Sequence, residues 1–314
     1  MSPKPRLLQH GRLLPELETA LAAEFDVHRL TDEADPAAFL AAQGQHFTGL
    51  VTSAGVGADA ALIASLPRLQ VIASFGVGVD LIDLDAAAAR GIQVSCTPDV
   101  LNDCVADLAM GLMLDVARGI SAADRYVRQG GWLKARYPLG HRVSGRRLGI
   151  VGLGRIGRTI ARRAGGFDMD IRYHARRPVA DVPWRHEPEL LALAEWADFL
   201  VVIVAGGAGT RHLIDARVLD ALGPQGFLVN VARGSVIDEP ALVAALQAGR
   251  IAGAGLDVFD AEPQVPPELF ALDNVVLLPH IASGTVQTRR AMGELVLDNL
   301  RAFHRDGRVL TPPA

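Results

Sequence analysis

Three polar residues, each just beyond an apolar run, could carry chemistry in this 314-residue sequence. Arg233 follows Phe227–Asn230 in LVNVARGSVID, with Ala232 beside it. Glu262 lies in GLDVFDAEP, beyond the run Ile251–Asp257, which Asp257 closes. His280 follows Val275–Leu278 in VVLLPHIASGT. Histidine can carry a proton at neutral pH. A carboxylate on its second ring nitrogen fixes the tautomer and supports the imidazolium, as in hydrolytic triads. Arginine binds a carboxylate and polarises a neighbouring carbonyl. Beside a nicotinamide, such a set can reduce a 2-oxo acid reversibly. Singly, the three read as a turn cap, a loop acid and a half-buried histidine. Their joint place at strand ends favours chemistry, because ligands of open parallel sheets sit outside the carboxyl ends of the strands.

A nicotinamide needs a dinucleotide site, and LGIVGLGRIGRTIARRAGG supplies one. Leu148–Val151 reads as a buried strand, Gly152, Gly154 and Gly157 as G-x-G-x-x-G, and Ile156–Ala164 as the following helix. The first glycine permits the tight turn, the second lets backbone approach a pyrophosphate, and the third lets helix pack on strand. Arg155 and Ile156 head that helix, whose N–H groups and positive dipole end suit phosphates. NAD-binding units place an Asp or Glu about 20 residues after the glycines, on the ribose hydroxyls. Here YHARRP stands there: the strand ends at Tyr173-His174, no acid follows, and Arg176 and Arg177 come next. Two guanidiniums would pair with a ribose 2′-phosphate. NADP(H) is therefore the expected cofactor, with NAD(H) still open; the plain alternative is a solvated pair of loop arginines.

The elements that must position these residues alternate along the chain. Strand-like runs fall at Gly49–Thr52, Val71–Ser74, Gln93–Ser95, Leu148–Gly152, Asp170–His174, Phe199–Val204, Phe227–Asn230, Ile251–Asp257 and Val275–Leu278. Helix-like stretches include Ala58–Ser65, Leu101–Arg118, Ile156–Ala164, Glu189–Glu195, Glu239–Ala248 and Val286–Phe303. This alternation predicts parallel sheets covered on both faces. Half of the residues are hydrophobic, enough core for two domains. The pattern restarts after a long helical stretch, Val100 to Arg128, and Arg128–Arg147 reads as an exposed connection. The expected class is α/β, with two Rossmann-like parallel-sheet domains and a cleft between them. The expected boundaries are 1–98 plus 286–314 for a discontinuous, flavodoxin-like substrate-binding domain, and 99–285 for the dinucleotide-binding Rossmann domain. Trp132 and Tyr137 fall in the connection, as pocket, subunit-contact or packing residues.

Net charge is −4, which argues against a nucleic-acid surface. No apolar run approaches the ~20 residues of a membrane span, and the N-terminal residues lack a secretory h-region. The two cysteines, Cys96 and Cys104, are too few for a disulfide scaffold or a cysteine metal site. A reducing cytoplasm and no metal are expected. Cys104 lies in an apolar helical pattern and is expected to be buried.

Several longer motifs resemble the D-isomer-specific 2-hydroxyacid dehydrogenase family over nearly the whole chain. They are FGVGVDLIDLDAAAARGIQVSCTPDVLNDCVADLAMGLML, GLGRIG, NVARGSVIDEPAL, GAGLDVFDAEP and LLPHIASGT. The resemblance implies that Arg233 binds substrate, Glu262 supports the histidine and His280 is the acid/base. It implies that Val77 and Gly78 offer backbone N–H groups to the substrate carboxylate, and that Asp257 holds the nicotinamide carboxamide. His174 and Ala232 join the cofactor-facing set, and His280 faces both cofactor and substrate. A homodimer is implied by the same resemblance. Length and YHARRP most resemble NADPH-preferring glyoxylate/hydroxypyruvate and hydroxyphenylpyruvate reductases. The length leaves no room for the regulatory domain of many phosphoglycerate dehydrogenases, and formate-oxidising relatives have Gln where Glu262 stands. AGGAGTRHLI (Ala205–Ile214) departs from the family's Pro-Leu-Thr turn at Ala205–Gly209, to which no specific contacts are assigned, while Thr210 and Arg211 fit the pattern.

The expected activity is NADPH-dependent reduction of a small 2-oxo acid. The alternatives are an NAD-linked D-2-hydroxyacid dehydrogenase, an aryl-pyruvate reductase, or a dinucleotide-sensing binding protein like the C-terminal-binding corepressors. The intact Arg–Glu–His set argues against the last.

Overall fold

The computed structural model describes residues 4–313, and the chain divides into two compact units, 1–101 with 285–314 and 102–284. The first unit runs β1 (Arg6–Gln9), α1 (Pro15–Glu24), β2 (Asp26–Arg29), α2 (Pro36–Gln43), β3 (Gly49–Ser53), α3 (Ala60–Ser65), β4 (Val71–Phe75), α4 (Leu84–Ala89) and β5 (Gln93–Ser95). Its five strands are parallel in the order β2-β1-β3-β4-β5, the doubly wound order of flavodoxin. β4 is buried along its whole length and β3 at four of five positions, as expected of strands covered on both faces. Phe47, Leu50, Ile63, Leu66 and Ile72 form its core at 0–1% exposure. Each contributes about 1.5–3 kcal/mol by burial. Asp35, Asp59 and Asp83 begin α2, α3 and α4 by accepting the N–H three residues on, the favoured N-cap chemistry.

The second unit begins with α5 (Asn102–Arg118) and α6 (Ile120–Arg128). The single helical stretch expected over Val100–Arg128 is broken, because Gly119 adopts a left-handed conformation (φ 61°, ψ 40°) between the two. Cys104, on α5, is half-buried rather than buried, while Cys96 is buried. The connection after α6 is largely exposed, with Trp132 at 70%, Leu133 at 93% and Leu139 at 99%. Tyr137 turns back instead: its hydroxyl donates to Gly119 O at 3.3 Å, and its ring meets Tyr126 edge-on at 5.4 Å.

The remaining elements are β6 (Arg147–Val151), α7 (Arg155–Gly165), β7 (Asp170–His174), β8 (Arg185–His186), α8 (Leu190–Trp196), β9 (Phe199–Val202), α9 (Ala216–Leu222), β10 (Phe227–Asn230), α10 (Glu239–Gln247), β11 (Gly253–Leu256) and β12 (Val275–Leu277). The seven strands are parallel in the order β12-β11-β10-β9-β6-β7-β8. Counted from β6, this is the Rossmann order with one strand added beyond the sixth. The last helix, α11 (Val286–Asp306), belongs to the first unit and packs on β4. Among the described residues no helix is long and apolar enough to cross a membrane, and no group of three or more His, Cys, Asp or Glu could hold a metal ion.

Candidate active site

β6, β10, β11 and β12 run parallel in one sheet, so the residues that follow them emerge at one edge. The glycine turn follows β6, Arg233 follows β10, Asp257 follows β11 and His280 follows β12. Val77 and Gly78 lie in the turn after β4 in the first unit, where Gly76 has φ 150° and its carbonyl accepts the Thr97 N–H at 2.8 Å.

Arg233 is held from two directions. Asn230, 1% exposed at the end of β10, donates from Nδ2 to Arg233 O at 3.0 Å and accepts the Ala232 N–H on Oδ1 at 3.0 Å. Gly234 then lies flat against the chain after β11. A Cβ there would stand 1.8 Å from the Phe259 carbonyl carbon and 2.1 Å from Asp260 N. Only glycine allows this approach, and it sets the arginine loop against the segment that carries Glu262. The Arg233 guanidinium donates to Ala232 O at 2.8 Å.

Glu262 accepts on both oxygens. His280 Nδ1–H donates to Oε2 at 2.7 Å, and the Phe259 N–H donates to Oε1 at 3.0 Å. A carboxylate in this pair is an acceptor, so Nδ1 carries the hydrogen and Nε2 is the ring atom through which a proton can pass. Burial pushes the Glu262 carboxyl up. The His280 bond, the Phe259 N–H and the charges of His280 and Arg233 outweigh that, and the group is held below its ordinary range.

Asp257 governs the backbone at His280. It is 0% exposed, and its carboxylate accepts the Ile281 N–H at 2.7 Å and the Ala282 N–H at 2.8 Å. Its carbonyl accepts the His280 N–H at 2.8 Å. His280 itself has φ 51°, a left-handed conformation uncommon outside glycine, though histidine adopts it more readily than most residues. Burial raises the Asp257 carboxyl despite the two N–H bonds and the nearby histidine. Farther out, Glu239 Oε1 accepts the Asp260 N–H at 2.8 Å, and Arg211 pairs with Asp260 at 3.6 Å. Burial and the acids Asp260 and Glu262 raise Glu239. Sequence reasoning passed over Asn230, Gly234 and Glu239; the glycine after Arg233 was the one available signal.

The glycine turn fits a dinucleotide. Gly152 has φ 102°, and a Cβ there would meet Ile203 O at 2.6 Å; one on Gly157 would meet Gly152 O at 2.1 Å. Those two serve the protein's own packing. Around Gly154 a Cβ would meet nothing within 4 Å, so the open side of the turn is there. Gly154 is the N-cap of α7 and offers no side-chain cap, whereas Asp215 and Asp238 cap α9 and α10. A helix start beside an open glycine presents the backbone donors a pyrophosphate takes. Arg155 is exposed and Ile156 half-buried. Beyond β7, Arg176 and Arg177 are exposed, and His174 Nδ1–H donates to Glu187 O at 3.1 Å. The loop Ala205–Gly209 closes on itself, with Thr210 Oγ1–H donating to Ala205 O at 2.7 Å.

Residues 110–282 match the family of the D-isomer specific 2-hydroxyacid dehydrogenase NAD-binding domain. The chain is 46% identical over 296 residues to glyoxylate/hydroxypyruvate reductase A of Arabidopsis thaliana, covering 94% of this chain and 95% of that one. Hydroxyphenylpyruvate reductase of Plectranthus scutellarioides is equally similar, at 46% over 296 residues with the same coverage. The crystal structure of the NADPH-dependent glyoxylate/hydroxypyruvate reductase of Sinorhizobium meliloti, in complex with NADP and malonate, superposes with a TM-score of 0.94. That chain is 46% identical, and the match covers 99% of this chain and 97% of the other.

Proposed function

Because the chain belongs to the D-isomer-specific 2-hydroxyacid dehydrogenase family, we propose that it reduces a small 2-oxo acid of the glyoxylate or hydroxypyruvate type to the D-2-hydroxy acid, with NADPH preferred over NADH. The observation that carries this reading is the His280–Glu262 hydrogen bond at 2.7 Å, with Arg233 on the adjoining loop.

The dinucleotide, held at Gly152–Gly157 and the start of α7, supplies the hydride when bound. The chain's own residues do the rest. Arg233 takes the substrate carboxylate and polarises the neighbouring carbonyl. His280 gives the carbonyl oxygen a proton from Nε2 and regains one from solvent. Glu262 keeps the ring in its orientation and stabilises its charge. Asp257 and Ala232 serve the nicotinamide carboxamide; each Asp257 oxygen keeps a lone pair beyond the amide it already accepts. His174, Arg176 and Arg177 face the adenosine ribose, and the arginines select its 2′-phosphate. Trp132, Leu133 and Leu139 stand exposed on one segment, and exposed apolar groups of this kind suit a homodimer contact.

The deciding experiment is oxidation of NADPH and of NADH in parallel against glyoxylate, hydroxypyruvate, hydroxyphenylpyruvate and pyruvate. Turnover of the first two with NADPH is expected. Faster turnover of the aryl acid would move the substrate to the aryl-pyruvates, and a preference for NADH would overturn the cofactor assignment. Sedimentation of the pure protein reads the dimer.

A further inference from the structure

The arginine pair sits on a loop held at both ends by groups that the reduction does not use. Tyr173, in β7, is 1% exposed, and its phenol oxygen accepts the Val179 N–H at 2.8 Å. His186, in β8, donates from Nε2–H to Ala175 O at 2.9 Å. A carbonyl only accepts, so that nitrogen carries a hydrogen. The two anchors support each other: their strands pair at Tyr173 and His186, and their rings lie 5.2 Å apart. The Glu187 N–H donates to Tyr173 O at 2.7 Å and closes the frame.

Ala175 and Val179 are therefore fixed, and Arg176, Arg177 and Pro178 bridge the positions between them. Pro178 fixes its own φ and turns Arg177 toward an extended backbone. Both arginines are exposed, while Ala175 and Val179 are half-buried. β8 has only two residues and pairs with β7 alone, at the sheet edge. It adds little to the core and much to this loop.

We propose that Tyr173 and His186 are positioning residues for dinucleotide selectivity. They hold the backbone from Ala175 to Val179 so that the two guanidiniums stand ready for a ribose 2′-phosphate. The proposal rests on the reading that Arg176 and Arg177 bind that phosphate. A loose loop would lose its backbone freedom at each binding event, and a loop fixed beforehand avoids that loss. Neither anchor touches the phosphate in this account; each acts through the carbonyl or amide it holds.

The test compares KM and kcat for NADPH and for NADH with one 2-oxo acid. The variants are Tyr173→Phe, which removes one oxygen, His186→Leu, which removes the donor, and His186→Gln, which keeps an amide donor. Arg176→Ala/Arg177→Ala is measured alone and combined with each. Tyr173→Phe and His186→Leu should raise KM for NADPH about three- to tenfold, the scale of one hydrogen bond. Their kcat and their NADH kinetics should stay at wild type, and His186→Gln should recover most of the loss. On the double-alanine background neither should raise KM further. Unchanged NADPH kinetics in both variants, or equal losses with both cofactors, would overturn the proposal. So would a full additional loss on the double-alanine background. If Tyr173→Phe does not fold, His186→Leu decides at the other anchor. Failure of the underlying reading looks different: the double-alanine variant alone would then keep its wild-type KM for NADPH, and the clamp would fall with it.

Discussion

Asp257 grips the chain at His280 and on the two residues beyond it. Its carbonyl takes the His280 N–H at 2.8 Å, and its carboxylate takes the amides of Ile281 and Ala282 at 2.7 and 2.8 Å. One buried residue thus holds His280 in a left-handed conformation. Asp257→Ala would leave two amides without partners, at about 1–3 kcal/mol each where they stay buried. Loss of about 2 kcal/mol or more in urea denaturation is expected. Asp257→Asn, which presents one donor to a donor, should also lower kcat by roughly tenfold or more.

His280→Ala should lower kcat by roughly 10²–10⁴, the scale of a positioned acid/base group. Circular dichroism should stay near wild type, because the side chain is exposed and its backbone is held by Asp257. A folded variant with near-normal turnover would remove His280 from the mechanism.

Glu262→Gln should cost less in rate and should change the pH dependence of stability. The folded carboxyl lies below its ordinary value of 4.5. Its contribution is therefore complete above the unfolded value and fades as pH falls through the folded one. As pH falls from about 5 to about 3, across and below the ordinary value, the wild type should lose more in thermal midpoint than Glu262→Gln does. Equal losses in the two proteins would show that the pair adds no pH-dependent stability.

Gly234→Ala probes the contact between the arginine and glutamate loops. Its Cβ would fall inside the Phe259–Asp260 backbone, so one loop must move. Overpacking of this kind costs about 1–3 kcal/mol. KM for the 2-oxo acid should rise and kcat should fall, because Arg233 and Glu262 no longer share a frame. Affinity for the dinucleotide alone, read by fluorescence titration, should change little.

Arg176→Ala/Arg177→Ala should raise KM for NADPH by roughly tenfold or more. Hydrogen bonds to charged groups are worth about 1.5–3 kcal/mol each, and solvent screens these exposed side chains toward the low end. NADH kinetics should hardly move, and the preference should weaken as salt rises. Equal loss of both cofactors would reduce YHARRP to a basic turn.

The strands before the candidate residues were legible because apolar side chains fill most of their buried positions and they end at marked residues. Phe227–Asn230 and Asp170–His174 match the structure residue for residue. Asp26–Arg29 was illegible for the opposite reason: it is an edge strand with no buried position. Arg185–His186 is too short to show any period, although it frames the arginine loop. Helices such as Pro15–Glu24 and Ala216–Leu222 escaped notice behind weak or short patterns. Gly119 stands inside an otherwise helical run, and only its left-handed backbone reveals the break. The places of Arg233, Glu262 and His280 beyond their strands were readable from the apolar runs before them. The grip of Asp257 on the next loop and the close approach at Gly234 depend on partners about 25 residues away, which spacing alone does not disclose.

The return of α11 to the first unit sets an order of synthesis. Cys96, just past β5, donates its N–H to Thr311 O at 3.0 Å and accepts from Thr311 Oγ1 at 2.6 Å, while Gln93 Oε1 takes the Val309 N–H at 2.9 Å. These bonds join residues more than 200 positions apart. On a ribosome, residues 102–284 emerge as one continuous stretch and can close their own sheet first. The unit begun first is therefore completed second, and β4 waits for its covering helix until residues 102–284 have been translated.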